Sequence, residues 1–511
     1  MTTWDWIVVG GGSAGCTIAA RLSELPGASV LLLEAGPATR PLSTRVPAAF
    51  NTLFRGDCDW AFETAPEPRL NRRRMFWPRG KLLGGSSAIN AMIWTRGHEG
   101  DFTRWQARGC AGWGWNDVKP WFERSAIRPT QLRRPTPVSN AFMEAMSWLG
   151  HRRNDGFDSG NEGAGYFGLS VRGGERESTA RAYLDRARGR PGLDIRGGVQ
   201  VSRIRFDDGR ATGVEVATGA STSERLRARK GVVLSAGAIG TPVLLQRSGV
   251  GPAQDLRKLG IPCLVDRPEV GGNLCDHLAV GIAHHCLLPV TLDSARGLLP
   301  LSQWLLLRRG PLTSNVAEAG AFLRTDPSLI VPDLEILIGS AWFVDHGFRT
   351  FPGAGFTVAA VGVTPHSRGR IRLAGAHAAT PPIIEPNYLA DERDLLVLIQ
   401  GLKVARQIVS APAFDRYRGP EALPGPAAQT DDQLAAHIRQ ESQTLYHPAG
   451  TCRMGSDADA VVDPSLRVRG VAGLWAADAS VMPELVSTHP NATVVMIGER
   501  AASLITSNGS D

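Results

Sequence analysis

Two continuous apolar runs, Ile7-Val8-Val9 and Val30-Leu31-Leu32-Leu33, open the chain with a helical segment between them. Runs without polar interruption mark strands buried on both faces of a parallel sheet. The first run turns directly into Gly10-Gly11-Gly12-Ser13-Ala14-Gly15, and the second ends in Glu34. Gly10, Gly12 and Gly15 fit G-x-G-x-x-G. The first permits a tight turn, the second lets backbone approach a pyrophosphate, and the third lets the helix pack on the strand. A phosphate would meet the N–H groups at the helix start, where the dipole favours an anion. Glu34 would accept a hydrogen bond from a ribose 2′-hydroxyl and disfavour a 2′-phosphate. The pattern predicts a dinucleotide site; an ordinary strand–helix–strand turn is the alternative that carries no chemistry.

Residues 37–79 show no sustained period and are rich in Pro and Arg, which predicts an extended loop over the cofactor. A second Gly-rich segment occupies 80–97. Alternating patterns in Leu193–Phe206 and Ala211–Val216 flank Asp207-Asp208-Gly209 and predict a hairpin. Gly231-Val232-Val233-Leu234-Ser235-Ala236-Gly237 predicts another buried strand of the parallel sheet, followed by a helix through Leu245. From about 290 to 440 the texture changes. Leu334–Ile338, Phe356–Val363 and Gly369–Leu373 read as antiparallel strands. Residues 391–411 carry a helical period through Leu395, Leu398, Ile399, Leu402, Ala405 and Val409, with Asp391 as N-cap. Gly473-Leu474-Trp475-Ala476-Ala477-Asp478 returns to a short strand ending in an acid. A last helix is expected from Asn491 to Ile505. No internal repeat is visible.

At 511 residues the chain is too long for one hydrophobic core, so two connected domains are expected. A hydrophobic share of 43% and a charged share of 21% are those of an ordinary globular enzyme. The net charge of +7 is carried almost wholly by arginine. The densest basic run, Arg69-Leu70-Asn71-Arg72-Arg73-Arg74, is interrupted and has no nucleic-acid-binding signature beside it, so no nucleic-acid partner is expected. Seven cysteines, an odd number without C-x-x-C spacing, argue against a disulfide framework or a zinc site and for a reducing compartment. No apolar run approaches the ~18 residues of a membrane span. The start, Met1-Thr2-Thr3-Trp4-Asp5, has no basic n-region, so the expectation is a cytoplasmic bacterial enzyme.

Five blocks in order resemble the glucose–methanol–choline (GMC) flavin oxidoreductases. They are Gly80-Lys81-Leu82-Leu83-Gly84-Gly85-Ser86-Ser87-Ala88-Ile89-Asn90, the segment from Gly237 to Gly251, Val270–His277, Tyr446–Gly455 and Ala477–Pro483. The resemblance covers nearly the whole chain. It implies an α/β chain, α+β overall, with a Rossmann-type FAD-binding domain and an interleaved substrate domain on an antiparallel sheet. The expected boundaries are 1–156, 190–290 and 440–511 for the first, and 157–189 and 291–439 for the second. It further implies oxidation of an alcohol, with oxygen or another acceptor taking the electrons.

Carried over to this chain, the resemblance puts Gly10, Gly12, Ser13, Ala14, Gly15, Glu34 and Ala35 at the ADP half of FAD. Val201 would meet adenine through its backbone. Gly84, Gly85, Ser86, Asn90 and Ala91 would run along the ribityl and isoalloxazine parts, and Ala236, Gly237, Asp478 and Ala479 along the pyrophosphate–ribityl region. Covalent members carry a histidine just before the asparagine of the first signature; here that position is Ile89, so noncovalent FAD is expected. Thr103 departs from an acidic residue late in that signature, which bears on loop detail only.

Alcohol oxidation needs a base for the hydroxyl proton and an acceptor for the hydride. Flavin N5 would be the acceptor, and His447, in the block that faces the flavin, is the candidate base. The second catalytic residue lies in Thr488-His489-Pro490-Asn491-Ala492-Thr493. Counting back from Thr493, which opens the helix, gives His489. Asn491 would then meet the flavin and cap the helix, with Thr493 beside it; the opposite register, with Asn491 catalytic, stays open. The helix dipole would stabilise negative charge on reduced flavin. Leu445 is expected near the flavin C4a–N5 edge, and Trp342 and Phe343 on the substrate side or in the core.

Three readings compete with an alcohol dehydrogenase or oxidase. A hydroxynitrile lyase and a fatty-acid photodecarboxylase share the fold, and a simple NAD-binding reductase shares the first motif. Pro365-His366-Ser367-Arg368-Gly369-Arg370 looks like the alcohol-oxidising branch, and the NAD reading leaves the downstream signatures unexplained. No metal is expected.

Overall fold

The structure is a computed structural model describing residues 3–154, 156–157, 162–217, 223–295 and 297–507. In chain order the elements used below begin with β1 (Thr3–Val9), α1 (Ser13–Leu22), β2 (Val30–Glu34), α2 (Pro137–Trp148) and β3 (Gly163–Tyr166). Next come β4 (Leu193–Gly197), β5 (Val201–Asp207), β6 (Arg210–Ala217), β7 (Ser223–Leu234), α3 (Gly237–Arg247) and β8 (Leu278–Cys286). Then follow α4 (Leu298–Leu307), β9 (Ala317–Leu323), β10 (Leu334–Gly339), β11 (Gly355–Gly362), α5 (Glu392–Ser410) and β12 (Arg418–Leu423). The last are β13 (Gln443–Thr444), β14 (Leu474–Ala476) and α6 (Asn491–Ser507).

The first sheet has the order β4-β2-β1-β7-β6-β5, with β14 added on the C-terminal half of β7. Strands β4, β2, β1, β7 and β14 run parallel, whereas β6 and β5 are antiparallel. The inner stretches Ile7–Val9, Val30–Leu33 and Val232–Leu234 are buried on both faces, which is why they read as uninterrupted apolar runs, whereas edge strand β4 is half-buried and carries Asp194 and Arg196. Register brings Val9, Leu33, Leu234 and Ala476 to one level. The four residues that follow them lie at one edge, on both sides of the switch between β2 and β7, where open parallel sheets bind ligands.

The second sheet is antiparallel, in the order β12-β8-β11-β10-β9-β3, with β13 on β8. Helices α5 and α2 pack against it. Asp391 caps α5 by accepting from Arg393 N–H at 3.0 Å. Gly401 lets α5 approach closely, since a Cβ there would stand 2.5 Å from the Ala360 Cβ.

Two expectations change and one holds with a partner of its own. Leu193–Phe206 is not one hairpin arm: it breaks at Gly198, where φ is +73°, so β4 joins β2 in parallel and only β5 pairs with β6. An alternating pattern records the face a residue occupies but not its neighbouring strand. Gly369–Leu373 does supply an antiparallel strand, Arg370–Arg372, which pairs with Ile383–Glu385 in a two-stranded ribbon apart from the large sheet. Strand β8 sits inside the antiparallel sheet, so the change of layer falls at 277 to 278 rather than near 290. Residues 37–79 are largely irregular, with short 3₁₀ turns at Leu42–Arg45 and Pro47–Leu53.

Candidate active site

The strand ends converge on a cavity of about 970 Å³ between the two sheets. Its floor depends on glycine. A Cβ on Gly10 (φ +100°) would lie 2.5 Å from Ser235 O, and one on Gly15 would lie 1.8 Å from Gly10 O, so α1 packs flush behind the turn. The second Gly-rich loop crosses the first: Gly85 (φ +51°) lies where a Cβ would stand 2.6 Å from Gly12 Cα. At the end of β2 both Glu34 oxygens are engaged, one accepting from Gly11 N–H and the other from Gly36 N–H, each at 2.8 Å. Burial pushes this carboxyl up to about 7. A carboxylate has room for a further donor on each oxygen, so Glu34 is aimed and still able to accept.

Gly10, Gly12, Ser13, Ala14, Glu34 and Ala35 border the cavity. Gly85, Ser86, Asn90 and Ala91 border it from the second loop, and Val201, Ala236, Gly237, Asp478, Ala479 and Asn491 from the remaining sides. Gly15 and Gly84 do not border it; they shape the turns behind it. Thr493 does not reach it either, being buried and donating to Arg96 O at 3.3 Å. Asp478 spends its carboxylate on Gly237 N–H at 2.8 Å, Thr241 Oγ1 at 2.6 Å and Ser480 N–H at 2.7 Å, tying β14 to the start of α3.

Asn491 departs from the sequence expectation. It is the first residue of α6, and its Oδ1 accepts from Ser13 Oγ at 2.8 Å, so it bridges to α1 instead of capping its own helix. Its Nδ2 is buried without a partner among the described residues. A buried amide donor left open at a cavity wall is placed to be satisfied by an acceptor on a bound ligand. With the glycine crossings and the cavity's volume of about 970 Å³, this fits a dinucleotide carrying a carbonyl-rich ring, as FAD does.

At the other end His447 and His489 border the cavity together, ring centroids 4.9 Å apart and nearly perpendicular. His447 is positioned through its backbone. Tyr446 before it has φ +70°, a left-handed conformation unusual for an aromatic residue and held only by surrounding bonds. Asp276 supplies one of these bonds, accepting from His447 N–H at 2.7 Å, from Thr444 Oγ1 at 2.6 Å and from the Tyr388 hydroxyl. Arg79 Nη2 donates to Tyr446 O at 2.6 Å. Burial raises the Asp276 carboxyl to about 6.

Two partners of the histidines escaped sequence reasoning. His277 Nδ1 lies 2.9 Å from His447 Nδ1. Glu335 Oε1, on β10, lies 2.9 Å from His489 Nε2. An acid inside the apolar run Leu334-Glu335-Ile336-Leu337-Ile338 was the one available signal, since a charge on a buried strand needs a partner. Burial holds His447 well below the ordinary histidine range, assisted by His489, His277 and Arg79; burial likewise takes His277 to about 3. The nitrogens left over, His447 Nε2 and His489 Nδ1, have no protein hydrogen-bond partner among the described residues.

The sheet wall near these rings is made of small and apolar residues. Leu337 and Gly339 share the face of β10 that carries Glu335, and Ala359, Thr357, Ala279 and Gly281 lie across the register on β11 and β8. Phe343 and Leu445 also border the cavity, whereas Trp342 is core, packed at a tilt against Phe351 and donating to Gly353 O.

A model of the N-terminal part of the GMC oxidoreductases matches residues 4–279, and one of the C-terminal part matches 365–498. The alcohol dehydrogenase (acceptor) of Pseudomonas putida is 40% identical over 98% of this chain and 95% of its own length. Human mitochondrial choline dehydrogenase is 38% identical over 98% of this chain and 89% of its own. Among solved structures, pyridoxine 4-oxidase from Mesorbium loti superposes with a TM-score of 0.89 at 32% identity, covering 98% of both chains. A formate oxidase of Aspergillus oryzae superposes with a TM-score of 0.93 at 26% identity, covering 99% of this chain and 98% of that one. The chain belongs to the GMC oxidoreductases, FAD enzymes among which it stands with the alcohol dehydrogenases and oxidases.

Proposed function

We propose that this chain oxidises a primary alcohol with an apolar body to the aldehyde, using noncovalently held FAD and His447 as the base. Bound FAD supplies the acceptor for the hydride. Burial keeps His447 neutral, so its ring can take a proton at neutral pH. For Nε2 to accept the hydroxyl proton, Nδ1 must carry a hydrogen and donate it to His277 Nδ1. His277, itself kept neutral by burial, then steadies the imidazolium that forms. His489 Nε2 is engaged by Glu335 and its Nδ1 is left for the cavity; to orient the alcohol while His447 takes the proton, Nδ1 must carry a hydrogen and donate it to the alcohol oxygen.

The observation that carries this reading is the pair of histidines at one cavity, each with one nitrogen engaged by a buried partner and one free. The wall of Ala279, Gly281, Leu337, Ala359 and Leu445 supports an aliphatic or aromatic substrate body in preference to a charged one. Ile89, at the position of covalent attachment in some relatives of this family, supports noncovalent FAD. The test is anaerobic mixing with a panel of primary alcohols, read by bleaching of the flavin. His447→Ala should keep FAD and slow reduction by roughly 10²–10⁴-fold. Near wild-type reduction in that variant would remove His447 from the mechanism. Aldehyde release from a cyanohydrin, with no alcohol bleaching the flavin, would favour a lyase instead.

The Glu335–His489 hydrogen bond favours one second reading, in which His489 is the base and His447 the orienting residue. It requires His489→Ala to lose more of the reduction rate than His447→Ala, the reverse of the first order.

A further inference from the structure

We propose that α4 and the arginines around it dock this enzyme on an anionic lipid surface. In α4, Leu298-Leu299-Pro300-Leu301-Ser302-Gln303-Trp304-Leu305-Leu306-Leu307, Trp304 is the one buried residue. Leu298 is 84% exposed, Leu306 81%, Leu299 69% and Leu307 62%. With Leu301 and Leu305 they make six of the fourteen exposed large apolar side chains among the described residues, all on ten consecutive positions. Scattered surface leucines need no explanation, whereas a contiguous set marks an interaction surface. The helix is firmly seated. Trp304 Nε1 donates to Gly174 O at 2.9 Å, and the Arg308 guanidinium lies over the Trp304 ring at 4.4 Å.

The charge around the helix identifies the occupant. Arg308, Arg45 and Arg181 converge on Glu175 at 2.6, 2.6 and 2.8 Å. Arg172 and Arg186 share Glu177, and Arg40 and Arg188 share Asp185. Seven arginines thus meet three carboxylates, and exposed Arg309 adds an eighth cation. Leucines with a basic border match acyl chains beneath anionic headgroups. Lipid on this face would also lie beside the cavity. Helix α4 packs on Pro311–Thr313, which packs on Pro47–Leu53, and Phe50 of that segment borders the cavity.

The experiment is co-sedimentation of the holoenzyme with phosphatidylcholine vesicles, pure or mixed with phosphatidylglycerol. Binding is expected on the mixed vesicles, to weaken with salt, and to be much lower on the pure ones. The double variant Leu298→Glu with Leu306→Glu should reduce partition about tenfold or more while keeping the flavin spectrum and the melting temperature. Arg188→Glu with Arg309→Glu should weaken binding and its salt dependence, and decides the matter if the leucine variant loses flavin. The proposal is overturned if the parent protein binds neither vesicle. It is also overturned if the variants bind as the parent does, or if the leucine variant instead dissociates a lipid-free dimer seen by ultracentrifugation.

Discussion

His489 Nε2 lies 2.9 Å from Glu335 Oε1, across 154 residues of sequence and from one layer of the enzyme to the other. The histidine stands in the loop that leads into α6 of the cofactor-side layer, and the acid on an inner strand of the antiparallel sheet. The second Glu335 oxygen is buried without a partner among the described residues, so the carboxylate is held at a cost. Glu335→Gln keeps the shape and removes the charge. Flavin reduction should fall by about 10²-fold as His489 loses its orientation, while the melting temperature stays or rises because a poorly satisfied buried carboxylate is gone. A parallel loss of folding and activity would reduce Glu335 to a packing residue.

Asp276→Asn tests the clamp on His447. The amide must turn its NH₂ either toward the His447 N–H, which Oδ1 accepts, or toward Tyr388 and Thr444, which share Oδ2. The expected cost is about 1–3 kcal/mol in denaturant unfolding, with a fall in the reductive rate exceeding any change in FAD content. Unchanged kinetics would show that Tyr446–His447 keeps its conformation without the carboxylate.

His489→Ala and Asn491→Ala should separate cleanly. The first should keep FAD and melting behaviour and lose about 10²-fold in reduction. The second removes the bridge to Ser13, costing about 1 kcal/mol, and the open Nδ2 donor, so it should lower FAD affinity by titration. An Asn491→Ala protein that holds FAD fully but cannot be reduced would reverse the two roles.

Acid lability should be traceable to buried histidines. His346, 2.7 Å from the Tyr446 hydroxyl, is taken to about 3 by burial, with Arg55 and Arg73 adding to the effect. Below the ordinary value of about 6.5 the unfolded chain binds a proton that the folded one refuses. The His346 contribution to stability is therefore present above 6.5 and lost as pH falls toward 3. Glu34 and Glu67, both raised to about 7 by burial, act in the opposite sense, losing stability as pH rises from about 4.5 toward 7. The comparison of parent with His346→Asn cancels the carboxylates. The variant, whose asparagine suits the φ of +60° at this position, should melt with a shallower dependence on pH between 6.5 and 4. Equal slopes would count against a neutral buried His346.

Flavin should leave with denaturation. Heat or acid precipitation of the holoenzyme is expected to give a yellow supernatant and a colourless pellet, because Ile89 offers no nucleophile. Flavin retained by the pellet would demand another attachment point.

Local pattern carried a large part of this enzyme. The uninterrupted runs Ile7–Val9 and Val30–Leu33, the glycine phase from Gly10 to Gly15 and the helical period of 392–410 are properties of neighbours in sequence, where period and turn chemistry act directly. The Tyr446–Gly455 block likewise marked His447 before any fold was known. What these histidines touch was decided elsewhere. The His277–His447 contact spans 170 residues, and the Asn491–Ser13 bond spans 478. Glu335 reaches His489 only because β10 pairs Glu335 with Phe322 and Val361 in this register. A slip of one residue would turn the acid to the opposite face. Apolar alternation and glycine spacing specify which face is buried, but which buried groups meet depends on the register and stacking of two sheets that only the folded chain brings together.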